Sequence, residues 1–210
     1  MPKENILITN KINNHQKKQV AKLYYRSFRK KFAHLWLFFK DEDQAIGVLV
    51  ESIRYENGLY ALQGNKVLGF IGLERGNNAF LSPRFSTLLK TFNFPQSFWR
   101  FFAYKMYRIS KAGLNHNAIH IDPIAVHSAS RGKGVGTKLL NATFKLAKKL
   151  DAERIILEVV DTNPKAQKLY ENLGFQVIKE QNTKFLTQRV GFQKVFYMEK
   201  KLRTCKYHKL

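Results

Sequence analysis

The chain has 210 residues, 44% of them hydrophobic, with 17 Phe and 9 Tyr, which fits one folded, aromatic-rich domain and excludes a disordered chain. Lys and Arg total 37 against 15 Asp and Glu, a formal net charge of +22; such a surface attracts nucleotide cofactors, nucleic acid, ribosomes or anionic membrane and works against highly cationic substrates. A single cysteine, Cys205, excludes an intrachain disulfide framework and leaves too few thiols for a Cys/His zinc site.

The first residues carry no basic-then-apolar leader pattern, and no apolar run approaches the ~20 residues of a membrane span. The expectation is a soluble, cytoplasmic protein without a membrane span.

In chain order, Ile6–Thr9 reads as a strand. Asn14 offers an N-cap to a helix over His15–His34, in which Val20, Leu23, Tyr24, Phe28 and Phe32 share one face. Asp41 caps a second helix with Ala45, Val48, Leu49 and Ile53 inward. Leu59–Gln63 and Val67–Leu73 form a hairpin about Gly64-Asn65.

Residues 77–113 interleave aromatic and basic side chains. They read as an aromatic-rich helical insertion with short helices at Ser86–Phe92 and Gln96–Ser110. The insertion completes the core or covers a substrate pocket; a basic amphipathic surface helix for membrane or nucleic acid ranks behind those readings.

From Ala118 the pattern is regular. A strand over Ala118–Val126 leads to a glycine-rich turn and a helix over Gly134–Leu150. A strand follows at Ile155–Val159. Asn163-Pro164 then starts a helix that ends near Asn172, with Gly174 at its C-cap. Phe175–Lys179 and Val195–Lys200 close the sheet, and the tail after Lys200 is basic and loose.

The turn Arg131-Gly132-Lys133-Gly134-Val135-Gly136-Thr137 carries the chemistry. Its glycines let the backbone curl tightly, and the following helix aims unpaired N–H groups and its positive dipole end into the curl. The result is a pyrophosphate cradle. A Walker A loop is excluded because no Gly-Lys-Ser/Thr follows the required gap, and the spacing is not that of a dinucleotide fingerprint.

Arg131-x-x-Gly134-x-Gly136 after Ile124-Ala-Val126 resembles the acyl-CoA motif of the GNAT superfamily of N-acetyltransferases. Leu157-Glu158-Val159 followed by Asn163-Pro164 through Tyr170 and Gly174-Phe175 resembles that family's second signature. The resemblance covers roughly Ala118–Ile178. It implies one α+β domain over residues 1–210 with a mixed, mostly antiparallel sheet of six to seven strands flanked by helices. A splayed strand pair in that sheet would hold acetyl-CoA, with no metal.

Residue by residue, the resemblance implies that Ile124, Ala125 and Val126 border pantetheine and the thioester. Arg131, Gly132, Lys133, Gly134, Val135, Gly136 and Thr137 would hold the pyrophosphate. Asn163 would contact the pantetheine arm and Lys168 the nucleotide end. Tyr170 would protonate the departing thiolate, against the alternative of a tyrosine packed on a short helix.

The base is divided between Glu158 and Asp122, each balanced by a structural reading: an ion pair for Glu158, a hydrogen bond beside Pro123 for Asp122. Strand alternation puts Asp122 with Ile124 and Val126 on one face. His120 and His127 read as ordinary strand or surface histidines.

The implied activity is transfer of an acetyl group from acetyl-CoA to a primary amine by direct attack in a ternary complex. The acceptor, a small-molecule or protein amine, stays open. The rival is a CoA-binding or basic RNA- or ribosome-associated module without transfer. Charge alone admits nucleic acid or a ribosome as partner, and a homodimer stays open.

Overall fold

The computed structural model describes residues 5–110 and 117–202. Cys205, the end of the tail and residues 111–113 of the insertion lie outside the described residues. The elements run β1 (Leu7–Thr9), α1 (Asn14–Ser27), α2 (Arg29–His34), α3 (Glu42–Ser52), β2 (Gly58–Gln63), β3 (Lys66–Glu74), α4 (Phe85–Leu89), α5 (Phe94–Ser110), β4 (Ala118–Val126), α6 (Val135–Lys149), β5 (Arg154–Val160), α7 (Pro164–Asn172), β6 (Gln176–Asn182), α8 (Lys184–Thr187) and β7 (Lys194–Lys201). They form an α+β fold around one seven-stranded sheet of order β1-β2-β3-β4-β5-β7-β6. Among the described residues only β4 and β5 pair in parallel.

The sheet separates two apolar layers. On one face, α1–α5 bury Tyr24, Phe32, Trp36, Phe70 and Phe80 in a shared cluster. On the other, α6 and α7 bury Val135, Leu139, Leu140, Tyr170 and Phe175 against Ile119, Ile121, Ile155 and Leu157.

Local chemistry explains where the elements depart from the sequence expectations. The cap of α1 is Asn13, not Asn14, because Gln16 stands three residues on and closes a reciprocal capping box. The single helix expected over His15–His34 breaks at Phe28. No Gly or Pro causes the break. Instead Tyr24 takes Phe28, Phe32 and Trp36 around its ring at centroid distances of 5.6, 4.9 and 6.0 Å, a wrap that one straight helix face does not provide.

Asp41 caps α3 as expected, accepting from Gln44 N–H at 2.8 Å. Helix α5 starts at Phe94, ahead of the expected Gln96, because Asn93 accepts from Gln96 N–H and Pro95 is tolerated in a first turn. Helix α8 was not legible in the sequence, and β6 runs on to Asn182 as an exposed edge strand.

Candidate active site

β4 and β5 form the centre of the site because they pair and then part. Their ladder joins Ala118–Ile121 to Arg154–Leu157, and neither strand pairs with the other beyond it. β4 continues to Val126 and β5 to Val160, so a gap opens between them.

The β3 side of β4 determines what faces that gap. His127 N–H donates to Leu68 O at 2.8 Å, which makes the adjacent Gly69–Val126 pair the non-hydrogen-bonded kind. Alternation then turns the backbone N–H and C=O of Val126 and Ile124 away from β3, toward the gap. Ala125 is the exception among the three residues expected there. Its backbone belongs to the β3 ladder and its methyl is buried in the opposite apolar layer, so the structure does not bring Ala125 to the gap.

The cradle adjoins the end of β4. Gly132 and Gly134 have φ of +74° and +76°, and a Cβ at either would meet nothing within 4 Å. The loop needs glycine for its backbone, and space remains in front of it. Gly134 is the N-cap of α6. At the start of α6, Lys138 N–H donates to Gly134 O at 3.0 Å, so the N–H groups of Val135, Gly136 and Thr137 precede the helical ladder. No acidic residue stands in that first turn. Arg131 and Lys133 are exposed, and Arg131 Nε donates to Val126 O at 3.2 Å. These groups fit a pyrophosphate: backbone donors, a helix N-terminus and two cations around open space.

Helix α7 closes the same side. Asn163 caps it, accepting from Ala166 N–H at 3.3 Å; that structural duty engages its carbonyl oxygen. Lys168 is exposed on α7. Tyr170 is 5% exposed, with its ring edge-on to Phe175. Burial pushes its hydroxyl up to about 12, so it stays protonated at neutral pH. Among the described residues nothing hydrogen-bonds that hydroxyl.

The carboxylates lie on the opposite face. Ile155, Leu157 and Val159 face α6 and α7, so alternation sends Glu158 to the other side. There its Oε1 stands 3.8 Å from Nε2 of the buried His120. His120 is a buried histidine of β4, as expected for a strand position, and this contact places it beside the Glu158 carboxylate.

Asp122 also lies on that face, which overturns its expected alignment with Ile124 and Val126. Between Ile71 and Leu73, β3 advances two residues while β4 advances three, from Ile121 to Ile124. The extra residue is a bulge, and it inverts the alternation. The Asp122–Pro123 peptide within it is cis. Asp122 lines a small cavity with Tyr24, Trp36, Tyr104, Tyr107, Glu74 and Arg108.

In that cavity Arg108 makes a two-pronged ion pair to Glu74 at 2.9 and 2.8 Å. Burial lowers the guanidinium pKa, but the Glu74 carboxylate outweighs it and the net shift is upward. Burial, then the nearby Asp122 charge, pushes the Tyr24 hydroxyl well up. Sequence reasoning missed Tyr24, Trp36, Glu74 and Arg108. Each lies far in sequence from the glycine-rich turn, and only the fold gathers them.

Among the described residues there is no group of three or more His, Cys, Asp or Glu side chains that could hold a metal, and no helix is long and apolar enough to cross a membrane.

Comparison with known proteins places these features. Residues 4–175 match the Acetyltransferase (GNAT) family. A 56-residue stretch is 43% identical to the N-alpha-acetyltransferase 30 of Xenopus laevis, covering 27% of this chain and 20% of that protein. A 61-residue stretch is 43% identical to an N-alpha-acetyltransferase of Sulfurisphaera tokodaii, covering 29% of this chain and 36% of that protein. The match thus spans only a fifth to about a third of these relatives' length.

Among solved structures, an N-acetyltransferase from Staphylococcus aureus superposes with a TM-score of 0.62 at 19% identity, covering 92% of this chain and 100% of that one. The ribosomal-protein-S18-alanine N-acetyltransferase from Escherichia coli gives 0.57 at 15% identity over 98% of this chain and 99% of that one. At these identities the likeness is one of fold.

Proposed function

The chain belongs to the GNAT acetyltransferase family, and on that premise we propose that it transfers an acetyl group from acetyl-CoA to a primary amine of a small molecule or protein. The observation that carries the proposal is the backbone of Ile124 and Val126 turned into the β4–β5 gap, beside the open cradle at the start of α6.

Acetyl-CoA supplies the thioester, whose acetyl carbon is the electrophile. Arg131, Lys133 and the N–H groups of Val135, Gly136 and Thr137 hold the pyrophosphate. Ile124 and Val126 hold the pantetheine arm by strand-like hydrogen bonds, with Asn163 and Lys168 along α7 as its outer contacts. Val126 N–H is the donor for the thioester carbonyl oxygen.

The amine enters from the opposite face, where Glu158 and His120 stand, and Glu158 takes its proton. The amine nitrogen bonds to the acetyl carbon as the carbon–sulfur bond breaks. The Tyr170 hydroxyl, kept neutral by burial, gives its proton to the leaving sulfur. Asp122, among the tyrosines and the Glu74–Arg108 pair, shapes the amine side and does not serve as the base. A reducing, cytoplasmic setting suits a chain with one cysteine.

The test is acetyl transfer across a panel of small amines and peptides with free N-termini, comparing wild type with Glu158→Gln and Asp122→Asn. The expected result is transfer to at least one panel member. Glu158→Gln should lower kcat by ~100-fold or more, within the range typical of a lost general base, and Asp122→Asn should act mainly on the amine KM. Acetyl-CoA binding with no acceptor acetylated would favour a binding module without transfer. Equal kcat for wild type and Glu158→Gln would remove Glu158 as base.

A further inference from the structure

The insertion between β3 and β4 has a side that the acetyl-transfer chemistry leaves unused. Helix α5 buries Ser97, Arg100 and Tyr104 against the domain, with Phe101 and Tyr107 partly covered. Its other side is open. Phe94 is 64% exposed, Phe98 56%, Phe102 57%, Met106 51%, Ile109 64% and Trp99 41%.

At 3.6 residues per turn these six side chains fall within one arc of about 140°. Phe94, Phe98 and Phe102 stack in a row with centroids 6.4 and 6.5 Å apart. A run of large apolar side chains along a 17-residue helix is more than the scattered exposed hydrophobics of an ordinary surface.

Charge points to one class of occupant. Of the basic residues that α5 carries, Arg100 is buried and Arg108 is paired with Glu74, while Lys105 is exposed; α5 has no Asp or Glu. Lys105 lies inside the apolar arc and is exposed. A second copy of the chain would bring together two chains that each carry a net charge of +22, which is repulsive. A nucleic acid would find phenyl rings to stack on but would leave Met106 and Ile109 covered by nothing apolar. An anionic lipid surface satisfies both properties: aromatic and aliphatic side chains enter the headgroup boundary, and lysine and arginine side chains meet acidic headgroups.

We propose that the outer face of α5 docks the protein on an anionic membrane surface, lying in the interface without spanning it. The inner face of the same helix supplies Tyr104, Tyr107 and Arg108 to the cavity beside Asp122. Docking through α5 therefore fixes the orientation of the amine-facing side relative to the lipid.

The test is co-sedimentation of the full chain with phosphatidylcholine vesicles and with vesicles that also contain phosphatidylglycerol, together with tryptophan emission. Trp36 is 3% exposed and Trp99 41%, so a blue shift on binding reports Trp99. Binding to the anionic vesicles is expected to be at least ~5-fold tighter than to neutral ones, from Lys105 on the docking face and the net charge of +22.

Phe98→Ser with Phe102→Ser is expected to weaken binding by at least ~10-fold, since two large apolar side chains no longer enter the lipid. Acetyl-CoA binding should be retained. Met106→Ser with Ile109→Ser, in the C-terminal half of the helix, should give the same loss and guards against a folding failure of the first pair. Wild type that ignores both vesicle types, equal binding to neutral and anionic vesicles, or serine variants that bind like wild type would overturn the proposal. So would self-association or RNA binding that depends on Phe98 and Phe102 while the vesicles stay free.

Discussion

The two faces of the sheet were built by different rules. On the α6–α7 face, the proposed site is built mostly from backbone: glycines at positive φ, a helix start with no side-chain cap, and strand groups left without a ladder, with Tyr170 added from α7. On the α1–α5 face the proposed site is built from side chains: Glu158 beside His120, and Asp122 among tyrosines and an ion pair. Backbone sites follow from local sequence because glycine spacing and strand-to-helix order dictate them. Side-chain sites depend on which distant elements meet, so their residues carry no local signature. The difference predicts that substitutions on the first face change how acetyl-CoA is held and how its thiolate leaves, and that those on the second change acceptor handling and stability.

The largest expected effect is on the first face. Tyr170→Phe removes the proposed proton donor while keeping the ring packing against Phe175, and should lower kcat by ~100-fold or more with little change in the KM for acetyl-CoA. Because burial holds this hydroxyl up to about 12, Tyr170 should add no ionisation to a wild-type rate profile between about pH 6 and 9. Its folded pKa lies above the ordinary value of 10.0. The stability linked to the protonated hydroxyl is therefore complete below about pH 10 and is lost as pH rises toward 12. A wild-type kcat that falls with a pKa near 7 assigned to Tyr170 would contradict this.

The second effect belongs to the other face and should separate stability from donor binding. Glu74→Gln leaves Arg108 partly buried without its carboxylate and should cost about 2–4 kcal/mol in unfolding free energy, read by denaturant titration. Acetyl-CoA affinity should stay within a few-fold of wild type. A large loss of acetyl-CoA affinity there would erase the division between the faces.

A third, somewhat smaller effect returns to the cradle. Gly134→Val forces a β-branched residue to φ +76°, a strain of about 1–3 kcal/mol, and should weaken acetyl-CoA binding by roughly 5- to 150-fold in calorimetry. No contact is lost in the fold, because the added Cβ meets open space.

The same contrast explains what was legible in the sequence. The region from Ala118 to Ile178 read well because its apolar period switches from two to 3.6 and back, with Asn163, Pro164 and Gly174 marking the ends of α7. The bulge in β4 did not read. One extra residue leaves the strand's composition unchanged yet moves Asp122 to the opposite face from Ile124, and simple alternation cannot see it. Ala125 was grouped with its neighbours for the same reason, since sequence does not say which residues of a strand spend their backbone on the ladder. The break at Phe28 is also tertiary in origin, a consequence of rings gathering on Tyr24. The exposed face of α5 was visible as a basic, aromatic segment, but its division into a core side and an open side needed the fold.

The most direct test of the donor site is residue-resolved amide exchange by NMR, with and without acetyl-CoA. The account predicts slowed exchange at Val126 and at Val135, Gly136 and Thr137, whose N–H groups face the gap or the cradle, and no change at Ala125, whose N–H already serves β3. Protection of Ala125 in place of Val126, or no protection at the start of α6, would contradict it.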